Sequence, residues 1–461
     1  MSFEDLRGYL QRLETEGELH RVTEEVSIKY ELGAICHRSL KVRGDQNKAL
    51  LFENIQGYDI PIATNLLATK KRLSIAFDID VDSFNKEWIR RTRNPIPPKI
   101  VDSGPCKEQI YLGDDVDLYK LPHPVWNGKD GGPYITLPCQ ISKDPITGER
   151  NAGIYRSMVH DKKTLGILAA PYRHIAQHWL KNSGQPLPIA IAIGLHPTIY
   201  MATASAFPKG IDEIAVAGGL KGSPFDLVKC ETNDLEVPAA SEIVIEGLVQ
   251  PEKKHDEGPF GEYTGYYVEK GLNPIVEVTA ITHRKNPIYQ GTYIGRPPTE
   301  SSVMACVQRE AEFLNQVSLP GIKKIKVIDS SANFIVVVSI KKEFDGYAKM
   351  VGMALLGSWA GRLPKMIIIV DEDIDPDNWD EVQWALGTRL NVERGVDIIK
   401  DVTGSILDPA MDPDERKNRT VRTSKLILDA TKSVNTEFAE ACLPDTDALD
   451  KVTKEWSKYG L

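Results

Sequence analysis

The order of apolar runs in the last third of the chain does most to restrict its fold. Residues 334–340 (Phe-Ile-Val-Val-Val-Ser-Ile) form a buried-strand run, and 347–356 have helical character. A second strand follows at 366–370, a helix at 379–390 and a third strand at 396–399. This β-α-β-α-β order predicts parallel pairing through right-handed crossovers.

The texture upstream is different. Short strands read at 154–160 and 164–169, joined by Asp161-Lys162-Lys163 as a hairpin. More follow at 189–193, 242–249 and 275–282, which suggests a small barrel or sandwich. Near the N-terminus, Ser2 with Asp5 reads as a capping box ahead of Leu6, Leu10 and Leu13 at helical spacing, with Gly17 to end the helix. Short strands read at 50–52 and 60–63, and Pro95-Ile96-Pro97-Pro98 reads as a linker. A chain of 461 residues is too long for one ordinary core. Three domains are expected, at 1–110, 111–320 and 321–461, the last ending in a tail helix.

Charge and cysteine content narrow the function. The formal net charge is −9, which argues against nucleic-acid or anionic-membrane partners. The longest apolar runs are too short to span a bilayer. The start of the chain shows no secretory signal, and the six cysteines are scattered, so reduced thiols in a cytoplasmic protein are expected. Neither a Rossmann glycine fingerprint nor a Walker loop is present.

The chemistry gathers at Asp256-Glu257-Gly258-Pro259-Phe260-Gly261-Glu262, which sets two carboxylates about a sharp Gly-Pro turn. Tight packing there would desolvate a carboxyl and raise its pKa, so that it could serve as a general acid. Upstream, Arg156 lies in Asn151-Ala152-Gly153-Ile154-Tyr155-Arg156, on the strand face shared by Ile154, Met158 and His160. Its guanidinium could grip a substrate carboxylate with two hydrogen bonds or form a surface ion pair. Asn151, His174 and Glu213 offer oxygen, nitrogen and oxygen donors suited to Mn²⁺ or Mg²⁺. The basic run from Arg416 to Lys425 reads as a solvated loop with one or two charges free to neutralise a phosphate.

Taken in order, these pieces resemble the UbiD-type decarboxylases, which use prenylated FMN. The stretches that carry the resemblance are Asn151 to Arg156, His174, Lys229-Cys230-Glu231-Thr232-Asn233-Asp234-Leu235, Glu257 to Glu262, and Ser424-Lys425 with Asp429-Ala430-Thr431. The likeness is strongest to the hydroxyarylic acid decarboxylases acting on 4-hydroxybenzoate- or vanillate-type acids. It implies an N-terminal α/β domain, a central split β-barrel that binds the flavin, and a C-terminal α/β domain. It implies Arg156, Glu257 and Glu262 as the catalytic set and Asn151, His174 and Glu213 as ligands of the divalent metal that holds the cofactor phosphate. Gly153, Ile154, Arg173, His174, Thr203, Ala204, Ser205 and Lys425 fall on cofactor-contacting positions, with potassium near the 203–205 loop. Ala170 falls at the substrate pocket, and Arg173 beside it either pairs with a second anionic or phenolic group or forms a structural ion pair. The implied partners are a small aromatic acid, a UbiX-type flavin prenyltransferase that supplies the cofactor, further copies of the chain in a homodimer or homohexamer, and a small companion subunit.

Other readings stay open at this stage. The substrate could be a polyprenylated hydroxybenzoate or another aromatic or heteroaromatic acid. The barrel could instead bind ordinary FMN and transfer hydride, or serve only as a flavin-binding subunit.

Overall fold

The computed structural model describes residues 3–42, 44–168, 173–205, 207–412, 414–415 and 422–460. The first helix, Leu6–Thr15, buries Leu6, Tyr9, Leu10 and Leu13 on one face. Its cap is Asp5, whose carboxylate accepts from the Gly8 amide at 2.9 Å; Ser2, expected in that role, lies outside the described residues. Leu19–Val22, Ala49–Phe52, Ile62–Thr64 and Tyr289–Gln290 form a four-stranded sheet, so a strand from late in the chain completes the N-terminal layer. The proline stretch 95–98 is pinned by the Ile96 amide, which donates to the Ala215 carbonyl at 2.9 Å.

The central sheet has nine strands, all antiparallel. It runs Tyr134–Ile135, Ser157–Val159, Thr164–Ile167, Gly271–His283, Ile243–Glu257, Leu187–Ile193, Cys139–Lys143, Arg150–Ile154, with Gln109–Leu112 also on Gly271–His283. Arg150–Ile154 lies at one end of this order and Ser157–Val159 close to the other, yet only Tyr155 and Arg156 separate them. Three Cα steps span at most about 11 Å. The sheet therefore curls until its ends nearly meet, and Arg156 stands in the seam. This replaces the single strand expected over 154–160 by two strands at opposite ends of a curled sheet. The hairpin that follows is as expected, with Leu165 opposite Val159.

The C-terminal sheet runs Ile322–Val327, Ile335–Ile340, Met366–Asp371, Arg422–Ala430, Val396–Thr403. Ile335–Ile340 and Met366–Asp371 pair in parallel, as the alternation of strand and helix requires. The expected third parallel strand does not follow. Arg422–Ala430 takes the place beside Met366–Asp371, and Val396–Thr403 pairs antiparallel on its outer edge. The basic residues before Leu426 mask this strand in the sequence. The basic run is thus no uniform solvated loop: 416–421 lie outside the described residues, and Lys425 is buried within the strand. The tail forms a helix, Thr446–Lys454, but none of its residues is buried against this chain.

Candidate active site

The long strand Ile243–Glu257 ends at Glu257, so the first acid sits on a rigid element rather than in a loop. The turn after it is fastened on several sides. The Gly131 amide donates to the Pro259 carbonyl at 2.8 Å, and a Cβ at Gly131 would lie 2.1 Å from the Gly258 carbonyl oxygen. The Gly261 amide donates to Asp130 Oδ1 at 2.9 Å, while Asp130 Oδ2 accepts from the Asn127 amide at 2.8 Å. Phe260 is buried with its ring centroid 4.5 Å from that of Tyr134. Gly258 has φ +99°, a backbone shape that a side chain would strain.

Arg156 bridges the two acids, which lie 101 and 106 positions away. Its Nε donates to Glu257 Oε1 at 3.0 Å, and its Nη1 forms a short ion pair with Glu262 Oε1. The side chains of Arg156, Glu257 and Glu262 are 8%, 0% and 13% exposed. The guanidinium also lies over the Phe260 ring, 4.3 Å from its centroid. Among the described residues no hydrogen bond occupies Nη2, which leaves one edge of the fork for a ligand. Burial pushes the Glu257 carboxyl above its ordinary value, against the pull of Arg156. The surface ion-pair reading of Arg156 is thereby excluded.

Tyr263, next to Glu262, reaches the C-terminal domain. Its hydroxyl lies 3.4 Å from Ser405 Oγ and its ring 6.5 Å from that of Phe334. The acid turn therefore stands where the second and third parts of the chain meet.

Asn151, His174 and Glu213 also converge. His174 Nδ1 is 3.0 Å from Asn151 Oδ1, and Glu213 Oε2 accepts from the Ala152 amide at 2.9 Å. Burial pushes the Glu213 carboxyl up to about 7 and holds the His174 imidazole below its ordinary value. Among the described residues Asn151 Nδ2 is buried with no hydrogen-bond partner. A buried carboxyl with no ion-pair partner among the described residues, a neutral imidazole and the amide oxygen beside it, brought together from one strand and two helices, suit a hard divalent cation. Among the described residues no cluster of three His, Cys, Asp or Glu side chains forms a metal site of another kind. Lys181 and Lys209 both pair with Asp144, at 2.5 and 3.6 Å, and both add positive charge at His174.

The remaining expected residues are placed as follows. Gly153 needs its bare backbone, because a Cβ would lie 2.6 Å from the Tyr155 ring; Ile154 closes the same strand. Arg173 caps the helix His174–Lys181 with its backbone and is exposed. Thr203 and Ala204 end the helix Pro197–Ala204, and the hydroxyls of Thr203 and Ser205 donate back to carbonyls of that helix. Lys425 donates to the carbonyls of Gly361 and Arg362, at 2.5 and 2.9 Å. Ala170 lies outside the described residues. The reading of the sequence missed Asp130, Tyr134 and the part Phe260 plays beneath Arg156. The cluster Asn127-Gly128-Lys129-Asp130-Gly131-Gly132 was the available signal for Asp130, as a turn built to hold another backbone.

The chain matches the three domains of the 3-octaprenyl-4-hydroxybenzoate carboxy-lyase family: the N-terminal domain at 10–92, the Rift-related domain at 99–297 and the C-terminal domain at 302–430. It belongs to this UbiD family and is an enzyme of the carboxy-lyase class. The UbiD-class enzyme HmfF of Pelotomaculum thermopropionicum, solved with FMN, is 35% identical, with 96% of this chain and 98% of that one covered and a TM-score of 0.87. An evolved dimeric form of HmfF, solved with prenylated FMN, is 34% identical over 97% and 98%, with a TM-score of 0.85. The vanillic acid decarboxylase of Sedimentibacter hydroxybenzoicus in closed form is 33% identical over 99% and 100%, also at 0.85. An uncharacterised protein of Archaeoglobus fulgidus is 36% identical over 98% of this chain and 97% of its own length. Among the described residues no helix is long and apolar enough to cross a membrane.

Proposed function

We propose that this enzyme removes CO₂ from an aromatic, hydroxybenzoate-like carboxylic acid with the help of prenylated FMN. The observation that carries the reading is the buried Arg156 fork, shared by Glu257 and Glu262 with Nη2 unused among the described residues. Losing CO₂ from an aromatic carbon leaves an electron pair that no side chain can accept. Prenylated FMN, when bound, supplies that electron sink. Asn151, His174 and Glu213 would hold a Mn²⁺ or Mg²⁺ that ties the cofactor phosphate to the protein, with Lys181 and Lys209 adding positive charge.

The side chains do the rest. Arg156 takes the substrate carboxylate on its free edge and fixes the bond to be broken. Glu257 holds Arg156 from behind by the Nε bond. Glu262 is the more exposed acid and delivers the proton that replaces CO₂. Tyr263, bridged to Ser405, couples the Glu262 turn to the C-terminal domain, so that closure of the cleft excludes water. The vanillic acid decarboxylase likeness supports a phenolic acid as substrate.

The test is direct. Protein co-produced with a UbiX-type flavin prenyltransferase is incubated with 4-hydroxybenzoate, vanillate and related acids, without nicotinamide, and CO₂ is measured. Release is expected, and Glu262→Gln should nearly abolish it while the visible flavin spectrum persists. No release from any acid, or full turnover by Glu262→Gln, would overturn the assignment.

A further inference from the structure

Glu257 divides its two oxygens. Oε1 faces Arg156, while Oε2 accepts from Asn273 Nδ2 at 3.3 Å and lies against Gly166. A Cβ on Gly166 would stand 3.3 Å from Glu257 Oε2 and 2.7 Å from His160 Nε2. One bare glycine thus lies under both groups. His160 Nε2 is buried and has no hydrogen-bond partner among the described residues. The His160 ring packs on that of His255, with centroids 4.1 Å apart. His255 is exposed and stands two residues before Glu257 on the strand Ile243–Glu257. A row therefore runs from solvent through His255 and His160 to the far oxygen of Glu257.

A buried imidazole nitrogen left unpaired costs about 1–3 kcal/mol and calls for a reason. The reaction supplies one. Each decarboxylation breaks a C–C bond to CO₂, forms a C–H bond and consumes one proton. Glu262 gives that proton to carbon and must regain it from solvent while the cleft is closed. Arg156, the group that joins the two acids, cannot relay it, because a guanidinium does not give up its proton in a protein.

We propose that His160 is the relay through which a solvent proton, entering beside His255, reaches the Glu257–Glu262 pair. The inference rests on the decarboxylase reading above. In the relay, His160 rests with its proton on Nε2, takes up a solvent proton at Nδ1 beside His255, and gives the Nε2 proton across one water to Oε2 of Glu257. The proton passes on to Glu262 across water in the cleft, and a flip of the neutral His160 ring brings the proton left on Nδ1 back to the Nε2 side. Burial and the neighbouring His255 hold the His160 imidazole below its ordinary value, while Asp161 opposes them. A group held neutral at rest but able to charge briefly suits a relay. The other groups around this row are Asp256, paired with Lys270 at 2.7 Å, and the Tyr119 hydroxyl, 3.5 Å from the His160 carbonyl.

Two measurements test the relay. In the first, kcat and KM of holoenzyme carrying His160→Ala or His255→Ala are measured with and without added imidazole. His160→Ala is expected to lower kcat about 100-fold at nearly constant KM, and imidazole should restore the rate in proportion to its concentration. His255→Ala, at an exposed position, should fold normally and lower kcat by a smaller factor. Wild-type kcat in His160→Ala, or a loss that imidazole does not restore, overturns the proposal. In the second, the histidines are labelled at Cε1 and followed by NMR in wild type and Glu257→Gln. The His160 titration should move by about one pH unit when the Glu257 charge is removed, and an unmoved titration overturns the proposal. This second measurement needs no turnover. A protein that releases no CO₂ would sink the assigned reaction, whereas the NMR result judges the relay by itself.

Discussion

Replacing Arg156 with Met would strip the buried Glu257 and the partly buried Glu262 of the cation that bridges them. Glu257 has a side chain with no exposure, and its Oε1 bond to Arg156 Nε is the charge-assisted contact that offsets its burial. Breaking a buried pair by removing one partner costs about 3–5 kcal/mol. A domain of about 200 residues loses roughly 2–4 °C per kcal/mol, so the melting temperature should drop by about 10 °C at pH 8. The sign of the pH dependence follows from Glu257. Its carboxyl is already raised above 4.5 by burial, with Arg156 pulling it down. A carboxyl raised in the folded state supports stability below its unfolded value and loses that support as pH climbs through the folded one. Without Arg156 the folded value rises further. The gap between variant and parent should therefore be small near pH 5 and widen towards pH 8. Adding Glu257→Gln should recover most of the loss, because a neutral amide needs no cation and can still accept from Asn273. Melting curves of the parent, the single variant and the double variant at pH 5 and 8 decide the matter. An equal drop at both pH values, or no recovery in the double variant, would refute the claim that a buried charge is what Arg156 satisfies.

Three other perturbations separate the parts of the site. His174→Ala should purify without the visible flavin band, and dialysis of the parent against a chelator should lower flavin retention in the same direction; a full flavin complement in both would remove the metal from cofactor binding. Asp130→Ala frees the Gly261 amide and loosens the turn, so kcat should fall about tenfold or more with a stability loss of about 1–3 kcal/mol, measured by steady-state kinetics and denaturation. Gly131→Ala drives a methyl into the Gly258 carbonyl, which is backbone and has little room to yield. It should cost more stability than Asp130→Ala and leave little activity, read by melting temperature and CO₂ release.

What could be read in the sequence, and what could not, divides along one physical line. The acid turn was legible because Gly258, Pro259 and Gly261 limit the backbone locally, and such limits are written in adjacent residues. Ile335–Ile340 and Met366–Asp371 were legible because an apolar run bounded by helices admits few pairings. Arg422–Ala430 was not, because its charged leading residues gave no alternation and its place between two strands is set by neighbours far away in the chain. The same distance hid the floor of the site. Nothing near His160 announces His255, and nothing near Gly166 announces that two functional groups rest on it. The seam holding Arg156 shows why. The sequence there reads as one continuous strand, and only closure of the sheet breaks it after Ile154 and restarts it at Ser157. The guanidinium is thus placed by a long-range event, while the acids that flank it are placed by a short-range one. A residue-by-residue reading could name all three, but only the curled sheet accounts for the guanidinium being buried between the two acids.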